Sequence, residues 1–139
     1  MVTRMPLRVL LVEDDPDDVR IFRRLAASSG AYRIKVDRVR GVDEALDRMA
    51  RRRYDLLFLD HDLEGASGLD LLQELRTKGD QTPVIVLIGG GDERTAVEAM
   101  KAGAIDYLVK EGFDPKVLDR SIRYALQSTE VALQKAQAT

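Results

Sequence analysis

The sequence predicts an α/β fold, one parallel sheet covered by helices on both faces, and three observations carry that prediction. Short apolar runs alternate five times with longer stretches at helical spacing along the 139 residues. The runs at 7–12, 56–59 and 84–88 are apolar almost throughout, as strands buried on both faces are, and do not alternate. Chemistry-bearing residues sit at the ends of these runs: Glu13, Asp14 and Asp15 after the first, Asp60 after the third and Lys110 after the fifth. In an open parallel sheet the carboxyl ends of the strands line the crevice where ligands bind.

Each element has its own local reason. Residues 7–12 form the first strand, and Pro16 opens a helix over 16–28, where its missing donor costs nothing. Val19, Phe22, Leu25 and Ala26 are spaced for one face of that helix, and Gly30 is expected to close it. Residues 32–39 alternate, with Ile34 and Val36 inward, which suits a half-covered edge strand. Residues 42–52 form a helix with Ala45, Leu46 and Met49 inward, and its basic end Arg51-Arg52-Arg53 reads as solvated. The strand at 56–59 leads to a helix over 68–78 closed by Gly79. Pro83 precedes the strand 84–88, Gly89-Gly90-Gly91 is a flexible connection, and Asp92 caps a helix reaching about Ala102. Residues 105–109 are the fifth strand. A last helix begins near Asp114, with Val117, Leu118, Ser121, Ile122, Ala125 and Leu126 as its inward stripe.

Right-handed crossovers put helices on both faces of such a sheet. The amphipathic second strand belongs at an edge and the apolar third strand near the centre, which gives the order 2-1-3-4-5. This is the flavodoxin-like three-layer sandwich, five strands and five helices, with its switch point between the first and third strands. Glu13, Asp14 and Asp60 meet at that point. Carboxylates crowded together repel unless a cation joins them, which implies a hard divalent metal, Mg2+ or Mn2+. A free carboxylate, a metal and a lysine in one crevice are the parts needed for phosphoryl transfer to aspartate.

Composition bounds the remaining classes. Hydrophobic content of 45% and charged content of 33% suit one globular domain rather than a disordered chain. A net charge of −2 offers no bulk attraction to nucleic acid, and few aromatics lie near the arginine run to stack bases. The absence of cysteine excludes disulfide and thiolate chemistry. No apolar run has membrane-spanning length and no signal-peptide h-region opens the chain, so a cytoplasmic protein without membrane or nucleic-acid partners is expected.

Three motifs, Val12-Glu-Asp-Asp-Pro16, Leu59-Asp-His-Asp-Leu-Glu-Gly65 with Gly68, and Gly103-Ala-Ile-Asp-Tyr-Leu-Val-Lys110, resemble the receiver (CheY-like) domain of bacterial two-component response regulators. The resemblance covers about residues 7–126 of a single domain, 1–139, leaving 127–139 as a helical extension or tail. It implies that Glu13 and Asp14 hold Mg2+ with Asp60 and the backbone carbonyl of Asp62. It implies further that Asp60 is the phosphoacceptor, that Lys110 binds the phosphoryl oxygens and that Tyr107 is the aromatic switch. The donor would be a histidine kinase or a histidine phosphotransfer protein, and the output contact with a further protein. A homodimer through the extension, where Val131 and Leu133 continue weak amphipathicity, is the alternative to a frayed tail. The domain is then an acceptor and not an enzyme with a separate output. His61, beside Asp60, points to the opposite face of the strand and reads as a structural or surface residue.

Three positions depart from the family. Ile88 stands where Ser or Thr is expected, so the hydroxyl that would contact the phosphoryl group is missing and a branched side chain occupies the space of an inward Tyr107. Glu64 and Glu111 stand where proline is common. A receiver with a weakened switch is therefore the alternative. Asp60-His-Asp62 also resembles the Asp-x-Asp motif of haloacid-dehalogenase-type phosphatases, but that motif belongs on the first strand of a longer chain. Gly90-Gly-Asp-Glu93 reads as loop plus helix cap rather than a diguanylate cyclase signature. Gly89–Gly91 meets neither nucleotide-loop pattern.

Overall fold

The computed structural model describes residues 3–138, with side chains through Glu130. The elements in chain order are β1 (Met5–Val12), α1 (Pro16–Ala27), β2 (Tyr32–Val39), α2 (Val42–Arg51) and β3 (Leu56–Asp60). They continue as β4 (Asp62–Leu63), β5 (Ala66–Ser67), α3 (Gly68–Thr77), β6 (Val84–Ile88), α4 (Glu93–Lys101), β7 (Asp106–Val109) and α5 (Pro115–Ala138). Five strands form one sheet in the order β2-β1-β3-β6-β7, all neighbours parallel. Counting only these five, the order is 2-1-3-4-5, as the apolar pattern predicts.

The period of two along each strand sorts side chains onto two cores. Leu10, Val12, Leu57, Leu59, Val84, Val86 and Ile88 pack under α2, α3 and α4. Leu7, Val9, Leu11, Leu56, Phe58, Ile85, Leu87 and Leu108 pack under α1 and α5, against Phe22, Ala26, Leu118, Ile122 and Ala125. Phe22 and Phe58 meet with ring centroids 4.8 Å apart, which fixes α1 against the central strand. The inward stripe of α5 follows the expected residues, and the Ser121 hydroxyl donates to Asp106 Oδ2 at 2.8 Å. Val131 and Leu133 lie outside the described side chains.

The caps explain where the helices begin and end. Asp15 accepts from Asp17 N at the start of α1, Ser67 from Leu69 N at α3, and Asp92 from Thr95 N at α4. Asp92 is thus a cap, as the loop-plus-cap reading holds. Asp114 does the same for α5 through Val117 N at 2.9 Å.

Three local expectations are corrected, and one element is added. Ser28, not Gly30, terminates α1, its N–H returning to Leu25 and Ala26 carbonyls. Gly30 is not in the left-handed region; its N–H instead donates to Asp119 Oδ2 of α5, which also takes Ala31 N while Oδ1 takes the Ser29 hydroxyl. β1 starts two residues earlier, at Met5, because it pairs with β2 along its whole length. β7 starts one residue later, at Asp106. The segment after Asp60 holds a two-residue antiparallel hairpin, β4–β5, turning at Gly65 with φ of +76°. It is too short to leave a periodic signal.

Gly68 shows how closely α3 is set against the acidic strand end. A Cβ there would lie 2.2 Å from the Asp60 backbone oxygen, and its N–H donates to His61 O at 2.9 Å. Gly68→Ala must therefore displace the backbone of residue 60 or the start of α3. The expected cost is about 1–3 kcal/mol, read as a Tm lowered by several degrees. A thermal melt coinciding with wild type would show that the segment yields freely.

Candidate functional site

The parity that sorts the cores also aims the site. Glu13, Asp60 and Lys110 continue the rows of β1, β3 and β7 that face α1 and α5, so all three side chains leave the sheet on one side. Their heads meet. Lys110 Nζ lies 3.0 Å from Asp60 Oδ2, 3.0 Å from Glu13 Oε1 and 2.9 Å from Asp18 Oδ2. Glu13, Asp14 and Asp60 each place a carboxylate oxygen within 4.8 Å of the others. Glu13 and Asp60 are almost fully buried, at 1% and 2% exposure, whereas Asp14 is half-buried.

Hydrogen bonds fix the surrounding loops. Arg38 of β2 donates from Nε to Glu13 O at 2.9 Å and from Nη2 to Asp14 O at 3.2 Å, clamping the acidic turn to the edge strand. Asp60 Oδ1 accepts from Asp62 N at 3.1 Å, and Asp14 Oδ2 from Glu64 N at 2.7 Å. A proline at residue 64 would have no N–H to give Asp14.

The charges are unequally served. Burial, joined by the neighbouring Asp60 carboxylate and opposed by Lys110, pushes the Glu13 carboxyl up to about 8. Lys110 is held above the usual lysine range: desolvation acts to lower it, and the hydrogen-bonded carboxylates of Asp18, Glu13 and Asp60 outweigh that. Glu13 Oε1 is a buried acceptor with no directed donor; Lys110 Nζ lies beside it as an ion pair without hydrogen-bond alignment. A buried, under-served carboxylate oxygen among three converging carboxylates fits a hard divalent cation coordinated by oxygen.

The other expected residues lie around this centre. Asp62 is placed by its own N–H and by its pairing with Ser67 in the β4–β5 hairpin. His61 turns to the opposite side and brings Nε2 to 3.5 Å from Asp92 Oδ2, with Nδ1 buried and unpartnered. Ile88 is buried at 2% exposure in the core under α4. Tyr107 is 40% exposed, and both residues line one groove of about 730 Å³ with Val97, Met100 and Val109. The contacts of three contributors were not legible in the sequence. Asp18 reads there only as an acidic residue suited to the first turn of a helix. Arg38 carries no motif, and Glu111 reads only as a departure from proline, with nothing to show that its Oε2 accepts from Gly90 N at 2.9 Å.

The chain belongs to the response regulator receiver domain family, whose model matches residues 9–123. The response regulator protein PilR of Pseudomonas aeruginosa is 38% identical over 103 residues, which are 74% of this chain and 22% of PilR. The two-component response regulator PhoP of the same organism is 38% identical over 104 residues, 75% of this chain and 45% of PhoP. This chain therefore spans less than half the length of either relative. The crystal structure of the receiver domain of NtrX from Brucella abortus superposes with a TM-score of 0.75 at 30% identity, covering 86% of this chain and 98% of that one. Among the described residues no helix is long and apolar enough to cross a membrane.

The raised Glu13 carboxyl sets a pH dependence. The folded chain keeps a proton on Glu13 that the unfolded chain loses near pH 4.5, so folding takes up a proton between about pH 4.5 and 8. Stability contributed by this group is full below that window and is lost as pH rises through it. The metal-free Tm should therefore fall from about pH 5 to about pH 8, the slope should vanish in Glu13→Gln, and saturating Mg2+ should flatten it. A metal-free Tm that climbs across the window in wild type and variant alike would contradict this assignment.

Proposed function

We propose that this chain accepts a phosphoryl group on Asp60 from a phosphohistidine of a histidine kinase or phosphotransfer protein, and signals by protein contact. The observation that carries the reading is the position of Asp60: at the end of the central strand, buried, with an ammonium 3.0 Å away and two further carboxylates beside it. An Asp60 carboxylate oxygen attacks phosphorus, the P–N bond to the donor imidazole breaks, and the imidazole keeps the electron pair and takes up a proton. Lys110 neutralises phosphoryl oxygens as charge spreads over them. Glu13, Asp14 and Asp60, with the Asp62 carbonyl, would hold Mg2+ or Mn2+, which would supply the neutralisation that lets two anions approach. The N–H of Asp62, already donating to Asp60 Oδ1, fixes the carboxylate plane. Glu13 and Asp18 hold Lys110 in place until the phosphoryl group replaces them as its partner.

Labelling with Mg2+ and acetyl phosphate tests this directly. Wild type should gain one acid-stable, base-labile phosphoryl group by intact mass, and Asp60→Asn should gain none while melting as a folded protein. Labelling of Asp60→Asn at the wild-type rate would place the acceptor elsewhere.

A second reading concerns the switch, and Ile88 favours it. With no hydroxyl at residue 88 the phosphoryl group loses one donor, worth about 0.5–1.5 kcal/mol for a neutral hydrogen bond and more for a charged acceptor. Ile88 lies on the same side of the sheet as Tyr107 and its bulk walls the groove from within, so the exposed ring keeps its outward position in both states. Ile88→Thr should speed phosphorylation and enlarge the phosphorylation-dependent NMR shifts at Tyr107 and Lys110. Equal rates and shifts in both proteins would make Ile88 a neutral replacement.

A further inference from the structure

The loop Gly89-Gly90-Gly91 between β6 and α4 is the segment with least means of holding itself. Successive glycines lose the most entropy on ordering, Gly91 has φ of +82°, and a Cβ on Gly89 or Gly91 would meet nothing within 4 Å. Yet the loop leads straight to Asp92, the cap of α4, and Gly89 and Gly91 border the groove lined by Ile88, Val97, Met100 and Tyr107. Among the described residues, one hydrogen bond from another part of the chain reaches these glycines, the 2.9 Å bond from Gly90 N to Glu111 Oε2. Glu111 is well placed to hold them. It follows Lys110, whose N–H donates to Ile88 O at 2.8 Å, so its backbone is already fixed to the end of β6. A Cβ on Gly90 would come within 3.2 Å of the same oxygen, and only glycine lets the carboxylate seat without a shift.

We propose that Glu111 is a positioning residue that couples the phosphoryl state of Asp60 to the N-terminus of α4, holding Gly90 while Asp60 is unmodified and releasing it when the phosphoryl charge arrives. The inference rests on Asp60 being the phosphoacceptor. In the unmodified chain the Lys110 ammonium is shared by Glu13, Asp18 and Asp60. A phosphoryl group adds negative charge to that pocket and draws the ammonium to itself. The exposed Glu111 carboxylate one residue along the chain then sits in a more negative potential, which falls as it swings away from the crevice. Turning outward costs it only a bond to a neutral amide. Ile88 has no hydroxyl to offer a phosphoryl group, whereas Glu111 already reaches the loop through Gly90.

The test is amide hydrogen exchange at Gly90 and along α4, followed by NMR on the full chain before and after labelling with acetyl phosphate and Mg2+, with intact mass counting the phosphoryl groups. Unmodified Glu111→Ala should exchange at Gly90 about five- to tenfold faster than wild type, the loss of one charge-assisted hydrogen bond at an exposed site. Phosphorylation should raise Gly90 exchange in wild type and leave Glu111→Ala unchanged. Glu111→Gln separates bond from charge: its amide oxygen still accepts, so Gly90 should stay protected in both states. Full labelling with the same response in wild type and Glu111→Ala would overturn the coupling alone, as would unaltered Gly90 exchange in unmodified Glu111→Ala. No added mass on any of the proteins would overturn the phosphoacceptor reading, and the coupling with it.

Discussion

Glu13, Asp14 and Asp60 converge within 4.8 Å at the end of the sheet, and one ammonium, on Lys110, stands among them. Two of these carboxylates are buried, where repulsion between like charges is least screened. The fold tolerates the arrangement because burial raises the Glu13 carboxyl and so favours its neutral form, and because Asp18 and Lys110 extend the cluster into an alternating array. The cluster fits a divalent cation: a cation binding only the folded state would relieve the same crowding that weakens the metal-free protein. Acceptance at Asp60, as proposed above, would depend on that balance, since an unneutralised carboxylate repels an incoming phosphoryl group.

Everything around the cluster serves to hold it at that spacing. The two cores anchor β1, β3 and β7 so that their ends cannot separate, and Phe22 against Phe58 sets the helix that delivers Asp18. Arg38 holds the acidic turn from the edge strand, and the Glu64 amide holds Asp14 from the hairpin. On the far side of the molecule Arg76 donates to the carbonyls of Asp80, Thr82 and Gly103, joining α3 to the loops before β6 and β7. Asp119 closes the α1–β2 loop onto α5 in the same manner. Long side chains bonding backbone carbonyls and amides thus do between loops what the sheet ladder does between strands.

Family membership and departure from the family meet at the crevice. Asp60, the acidic pair and Lys110 stand together in the crevice, while Glu64, Ile88 and Glu111 are the positions at which the motifs depart from the family they resemble. Two of those differences add contacts: Glu64 supplies an amide that proline lacks, and Glu111 supplies a carboxylate to Gly90. The third, Ile88, removes a donor and adds bulk.

The sequence alone determined the sheet order, the extents of β2, α3, β6 and α4 to within a residue or so, and the meeting of Glu13, Asp14, Asp60 and Lys110. It could do so because burial on both faces writes continuous apolar runs, and because residues at strand ends are brought together by topology alone. Only the tertiary structure decided the rest. Asp18, Arg38 and Glu111 act through side chains that cross between elements distant in the chain, and no periodicity records which surface charge finds which loop. The hairpin at residues 62–67 is too short for any pattern, and the end of α1 passed to Ser28 because Asp119 of α5 claims the amides that follow. Local spacing encodes which face a residue takes; partners on other elements decide what it touches there.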